Sequence, residues 1–419
     1  MKRFYLILLS ALFIVIVGTP SAVRSQTLSV LHSFSWSASG PFNDGYAPAS
    51  YDAAGGQNIL VYNGRLYGLT MYGGSDANNV GVLFSCLPDG TDWRILHYFS
   101  TVTGGYRPWG SLIEVGGTLY GTTYYGGASG SDQRGTIFSI SPFSGLPYTS
   151  NYTVLHTFNF PDDIYYPHGT LYHYNGVLYG TCSGGTGGSP SYGGVFAYDL
   201  NSSTYSRVHV FSAGEAYQLI GSLVYYAGRL YGLSMLGGAN NGGSIYSFDP
   251  ANTADFDVHY SFPANSYVMG DLVAYGGNLY GTTYQGGAST VGSIFKFDPV
   301  AESVTTIYSF SLSGQKPRGG LTVCNDKFWG LATYSDGGGC CGTLFSINPD
   351  GSGYTVEQVF TSATTGEQPQ GTLTRYNGYF YGMASYGGTA TDGTVFRYGP
   401  IISKPIMAST SITNNVPGS

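Results

Sequence analysis

Apolar and polar positions alternate along this chain in short runs, and the runs recur in one fixed order seven times. Each copy opens with an apolar stretch such as Ser111-Leu112-Ile113. It turns at a glycine-containing pair and enters an apolar–aromatic–glycine segment such as Leu119-Tyr120-Gly121-Thr122-Thr123. Period-two runs bounded by Gly, Asn and Pro are the pattern of β-strands joined by tight turns. The anchor glycines of the second segment are Gly68, Gly121, Gly180, Gly232, Gly281, Gly330 and Gly382, spaced 49 to 59 residues apart. A repeat of about 50 residues built from short strands predicts a ring or stack of sheets.

The unit reads as four strands, a to d. Between a and b stand Asn63-Gly64, Gly116-Gly117, Asn175-Gly176, Ala227-Gly228, Gly276-Gly277, Asn325-Asp326 and Asn377-Gly378. Such pairs supply the positive φ of two-residue hairpins. Strand a is expected to start near Pro108 in the second unit, and strand b runs into a glycine doublet, Gly126-Gly127. After a loop of variable length, strand c begins at Gly135-Thr136-Ile137-Phe138, with equivalents such as Gly81-Val82-Leu83-Phe84 and Gly393-Thr394-Val395-Phe396. Turns such as Pro88-Asp89-Gly90 lead to strand d, for example Val154-Leu155-His156-Thr157-Phe158. The last unit stops after strand c, at Val395-Phe396-Arg397-Tyr398, while Val30-Leu31-His32-Ser33-Phe34 is a strand d with no unit before it. The expected fold is all-β: a seven-bladed β-propeller of four-stranded antiparallel blades, the N-terminal strand closing the last blade.

Composition supports that fold. Only 9% of residues are charged, against 65 glycines and 39 tyrosines, so the residues that fill exposed helix faces are scarce. The net charge of −7 leaves no basic stripe for phosphates, and no nucleic-acid partner is expected. Lys2-Arg3, the apolar run Phe4–Gly18 and small residues up to Ser25 read as a signal peptide, residues 1–25, cleaved before Gln26. The propeller is expected over 26–399 and a flexible Ser/Thr/Pro-containing tail over 400–419. A secreted monomer without membrane insertion follows as the expectation. Five cysteines, Cys86, Cys182, Cys324, Cys340 and Cys341, show no zinc spacing, and Cys182 stands in a slot filled elsewhere by Thr, Ser or Ala.

The pattern Leu-Tyr-Gly-Thr-Thr-Tyr-x-Gly-Gly-Ala…Gly-Thr-Ile-Phe, clearest at Leu119–Phe138 and Leu279–Phe295, resembles the GloVer tandem repeat of exported bacterial proteins. Its glycine doublet is similar, more distantly, to that of the kelch repeat. The resemblance implies an exported repeat protein and attaches no defined activity to the repeat. Members of that group often carry a C-terminal anchor or sorting segment, and residues 400–419 show no apolar anchor.

Chemistry is expected where the copies differ. His32, His97, His156 and His209 recur two residues before the strand d aromatic, with Tyr308 and Gln358 in the same slot, so they read as packing residues. Strand direction puts the d–a connections and the b–c loops on one face, the natural place for function. There Tyr72, Tyr124, Tyr125, Tyr284, Tyr334 and Tyr386, with Trp109, His168 and Arg318 near the axis, are the candidate ligand-binding residues. Aromatic faces of this kind suit a sugar ring or a peptide side chain. The expected partner is an extracellular glycan or protein. The competing expectations are a polysaccharide lyase or hydrolase at the channel mouth, using some of Arg107, His168, Glu215, Asp271, Arg318 and Glu367, and a structural surface component without catalysis. No cofactor is expected; oxygen ligands for calcium are offered by Asp76, Asp132 and Asp271, although aspartate is ordinary turn chemistry.

Overall fold

Seven antiparallel sheets follow one another along the chain. The computed structural model describes residues 26–401 apart from 36–43, 49–56, 75–79, 103, 128–133, 143–150, 160, 186–191, 213, 312–313 and 336–340. The expected signal peptide, nearly all of the expected tail, Asp76, Asp132 and Cys340 therefore lie outside the described residues. Within them every regular element is a β-strand, and the sheets make a seven-bladed propeller. The second blade is typical: strand a Ile113–Val115, b Thr118–Thr123, c Thr136–Ser141 and d Asn151–Thr157.

The repeated glycine–aromatic signature has a simple physical cause. Each anchor glycine of strand b lies directly across from the aromatic of strand c, as Gly68 opposite Phe84 and Gly382 opposite Phe396. A Cβ on Gly121 would come 2.6 Å from the Phe138 ring, so the missing side chain is the seat of the ring. Buried aromatics then interlock between blades. Ile137 and Phe158 of the second blade, for instance, pack with Leu171, Leu178 and Phe196 of the third.

The ring closes as the chain ends suggest. Strand Thr27–Ser33 pairs antiparallel with Thr394–Gly399, Val30 opposite Phe396, with a bulge between Val30 and His32. That pairing covers the open edge of the last blade.

In six blades the innermost strand is only three residues long, shorter than the sequence suggests, while that of the last blade runs Glu367–Tyr376. Strand a of the second blade starts at Ile113 rather than near Pro108. The residues just before it spend their hydrogen bonds on the neighbouring blade. The amide of Asn58 donates to Ser111 Oγ (2.6 Å), that of Ser111 to Thr170 Oγ1 (3.0 Å), that of Thr170 to Ser222 Oγ (3.1 Å), and that of Ser222 to Asp271 Oδ1 (2.7 Å). The belt resumes from Gly320 N to Thr372 Oγ1 (2.9 Å) and returns from Thr372 N to Asn58 Oδ1 (2.5 Å). One residue upstream, glycines let the blade backbones touch: a Cβ on Gly169 would lie 2.3 Å from the Gly221 carbonyl oxygen, and one on Gly319 2.0 Å from that of Gly371.

At the outer strands the histidines join the seams. His32 lies flat on Trp93 (3.6 Å between centroids), His97 on Tyr152 (3.9 Å), His156 on Tyr205 (4.2 Å) and His209 on Phe256 (3.8 Å). In each case the second ring belongs to the following blade. His32 and His156 also bond Asp44 (2.6 Å) and Asp163 (3.0 Å). His97 has no such partner: its Nε2 is buried without an acceptor or donor, and burial lowers its pKa to about 4.

Candidate functional site

The d–a connections and the strand b ends meet on one face, through bridges such as Tyr46 to Tyr72, Tyr106 to Tyr125 and Gln315 to Tyr334. Here the backbone repeats a feature invisible in composition. Ala47, Arg107, Tyr166, Gln218, Tyr267, Lys316 and Gln368 all have φ between +47° and +62°. From the second blade on they stand two residues before the axial position, and Ala47 follows the Tyr46–Tyr72 bridge of the first blade as Arg107 follows the Tyr106–Tyr125 bridge of the second. Left-handed backbone favours glycine and is strained for a bulky side chain. A chain so rich in glycine places none at this position, and the seven side chains it does place there are of five kinds.

These residues and the strand b tyrosines interlock in two arcs. In the first, Tyr46 stacks on Tyr72 at 5.1 Å, and the Arg107 guanidinium lies 5.0 Å from the Tyr72 ring and 5.7 Å from that of Tyr125. Tyr125 stacks on Tyr106 (5.4 Å) and meets Tyr124 edge-on (4.6 Å). Tyr124 in turn stacks on Tyr166 at 4.7 Å. Arg134 closes this arc, 4.6 Å from the Tyr165 ring and donating to the Tyr166 hydroxyl at 2.8 Å. In the second arc Arg318 lies over Tyr284 (4.9 Å) and donates to its hydroxyl (3.1 Å), while Lys316 sits between Tyr284 (5.3 Å) and Tyr334 (5.8 Å). Ile220 and Met269, packed with Met235, Tyr267 and Tyr284, stand between the arcs.

A cleft of about 340 Å³ opens at the end of the first arc, lined by Tyr124, Tyr165, Tyr166, Ser183, Gly184, Tyr217 and Gln218. Its shape depends on Gly184, where a Cβ would come 2.2 Å from the Tyr165 ring. Burial pushes the Tyr124 hydroxyl up to about 12, so the wall stays neutral and offers ring faces. Ser183 and Gln218 add hydrogen-bonding groups at the edge. Among the described residues no carboxylate or imidazole lines the cleft.

Of the sequence-derived candidates, Tyr124 lines this cleft, and Trp109 backs it, 3.9 Å from Tyr124 and 4.5 Å from His168, its indole N–H on the Met71 sulfur. Tyr72 and Tyr125 belong to the first arc, and Tyr284, Arg318 and Tyr334 to the second. Tyr386 ends strand b of the last blade, opposite Glu367. His168 is buried rather than displayed: desolvation drives its pKa to about 3, and its ring packs on those of Trp109 and Tyr124.

The other polar candidates keep to local partners. Glu215 accepts from Ser212 N and Oγ (2.7 and 2.9 Å), and Glu367 accepts from Ser362 Oγ at 3.3 Å. Asp271 proves to be part of the hub belt. The next blade offers only Gly320, so the Asp271 carboxylate spans two blades, accepting from Ser222 N with one oxygen and from Thr372 Oγ1 (3.2 Å) with the other. Among the described residues no three of His, Cys, Asp and Glu come together as a metal site would require. Tyr165, Tyr166, Tyr217, Gln218 and Arg134 escape the sequence reading. The readable signal is an X-Pro-x-Gly run, as in Arg107-Pro108-Trp109-Gly110, Tyr166-Pro167-His168-Gly169 and Lys316-Pro317-Arg318-Gly319.

No curated protein is significantly similar in sequence. Among solved structures, TolB from Acinetobacter baumannii aligns with a TM-score of 0.37 and 14% identity over 65% of this chain. That alignment takes in 58% of TolB itself. The Gloeobacter/Verrucomicrobia repeat matches residues 21–241 and again 221–413, which together take in nearly the whole propeller. With its glycine–aromatic pairs in every blade, the chain belongs to the Gloeobacter/Verrucomicrobia repeat family.

Proposed function

We propose that this propeller is an exported binding module that recognises an extracellular glycan or protein through its loop-rich face. The observation that carries this reading is the cleft of about 340 Å³ walled by Tyr124, Tyr165, Tyr166 and Tyr217. Flat, neutral rings with polar groups at the rim match the two-sided character of a pyranose or of an amphipathic side chain. The left-handed residues support the same reading: the backbone there is held by an amide bond to the preceding blade, as from Arg107 to Val80 and from Lys316 to Val291, while the side chain is left to vary.

The test is a glycan array together with pull-down from culture surfaces, run on the mature chain and on Tyr166→Ala. Capture of a defined glycan or protein by the parent, reduced at least tenfold in the variant, is expected. Capture that is undiminished in the variant, or none across both screens, rejects the reading. Export is checked by mass spectrometry of the culture medium, where a chain beginning at Gln26 is expected.

A further inference from the structure

We infer that the seam between the fourth and fifth blades is a binding pocket for a hydroxyphenyl ring supplied from outside the chain. The argument comes from the molecule's own seams. At five of them a strand d ring of one blade lies flat on a ring of the next: His32 on Trp93, His97 on Tyr152, His156 on Tyr205, His209 on Phe256 and Tyr308 on Tyr354. In three of them the second ring stands opposite the same position of strand c, Tyr152 opposite Ile140, Tyr205 opposite Tyr198 and Phe256 opposite Phe248, while Trp93 and Tyr354 directly precede strand d. At the closing seam neither side is aromatic, with Gln358 on one blade and Leu28, opposite Tyr398, on the other.

The fourth–fifth seam has one half of the stack. Tyr260 occupies the first-ring position, edge-on to Phe262 at 5.1 Å as His97 is to Phe99 at 5.0 Å. The second-ring position, opposite Phe297, is Val304. No ring among the described residues lies flat on Tyr260. In its place is a pocket of about 400 Å³ walled by Tyr260, Phe262, Phe295, Val304 and Thr306. Every aromatic wall of the Tyr152 site has its counterpart here, since Tyr152 packs on His97, Phe99 and Phe138.

The pocket's inner end selects the substituent on that ring. In the second blade the Tyr152 hydroxyl donates to the Gly104 carbonyl, close to the Thr136 hydroxyl. At the corresponding end of the pocket stand the hydroxyls of Ser266, Thr283 and Ser293, with Thr283 Oγ1 and Ser293 Oγ 2.9 Å apart. A phenol entering as Tyr152 does would place its ring on Tyr260 and its hydroxyl among these groups. Pro263, Ala264 and Thr290 border the pocket in the d–a and b–c connections, so the ring enters from the loop-rich face. The site is separate from the tyrosine cleft and does not depend on the function proposed for it.

The test uses the mature chain with p-cresol, toluene and N-acetyl-tyrosine amide, followed by calorimetric titration. Saturable binding of p-cresol is expected with a Kd of about 1 mM or tighter, in keeping with a ligand of so few atoms. Toluene should bind several-fold more weakly. Val304→Tyr should fill the pocket from within, abolish p-cresol binding and raise the melting temperature by about 2 °C. Tyr260→Ala should cost at least tenfold in affinity, and it stands as the control if the larger residue prevents folding. Binding of the tyrosine amide on a par with p-cresol identifies a tyrosine of a partner chain as the source. Binding of p-cresol alone identifies a free phenol. No saturable binding, equal binding of toluene, or p-cresol binding unchanged in both variants overturns the inference.

Discussion

Two rings of residues, four positions apart along the inner segment of every blade but the first, divide the labour of this molecule. The hub belt of Asn58, Ser111, Thr170, Ser222, Asp271, Gly320 and Thr372 is nearly uniform in chemistry, an oxygen-bearing side chain that takes the amide of its neighbour. The ring above it, Ala47, Arg107, Tyr166, Gln218, Tyr267, Lys316 and Gln368, is uniform in backbone and diverse in side chain. Equal φ with unequal chemistry shows that the repeat specifies where a side chain stands and leaves open what it is. The lower ring holds blades together, and the upper one is free to differ.

The sharpest way to break the lower ring is Gly319→Ala. Its Cβ would lie 2.0 Å from the Gly371 carbonyl oxygen, a backbone atom that cannot rotate away. Forced expansion of that contact should cost about 3 kcal/mol, read as a lowered urea midpoint. Next in size is a pH effect at the seams. Burial holds the folded His97 near 4 against its usual 6.5, so the unfolded chain binds the proton first as pH falls. Its share of stability is therefore complete above pH 6.5 and is lost on the way down to 4, at most about 3 kcal/mol in all. His97→Phe, which keeps a ring on Tyr152, should flatten that part of the stability–pH curve; an unaltered slope would reject the assignment.

Thr372→Val removes the acceptor of Gly320 N and the hydroxyl bonded to Asp271, for a loss of about 1–2 kcal/mol in urea unfolding. The upper ring should answer differently. Gln218 is exposed at φ +54°, and Gln218→Gly should change stability by no more than about 0.5 kcal/mol, because relief of the left-handed strain offsets the added chain entropy. The same variant should still reduce ligand capture severalfold. A large stability loss there would merge the two rings into one structural device.

Blades, turns and closure were legible in the residues because their causes are local or repeated. Gly121 and Phe138 reappear together in every unit because one is the seat of the other. The strand around Val30 is recognisable because its sisters precede it in other blades. The hub belt was not legible, since Ser111 or Thr170 reads as an ordinary strand residue until the neighbouring blade supplies its donor. Asp271 stood out as the lone carboxylate, yet its reason lies at Gly320, one blade away. His168 reads from the sequence as a residue near the axis, but its burial against Trp109 and Tyr124 depends on the preceding blade. Tyr166 escaped notice because left-handed backbone at a tyrosine leaves no mark in composition.

The latch also sets an order of events. Gln26 Oε1 accepts a hydrogen bond from the Tyr398 hydroxyl, 372 positions further along the chain. The earliest part of the propeller to leave the ribosome must stay unpaired until its final segment has emerged. Six blades can assemble in sequence from neighbouring stretches of chain, but the seventh waits for both ends to meet, and so distant a contact is slow to form. Any chain cut short before Phe396 would leave that first strand without a sheet to join.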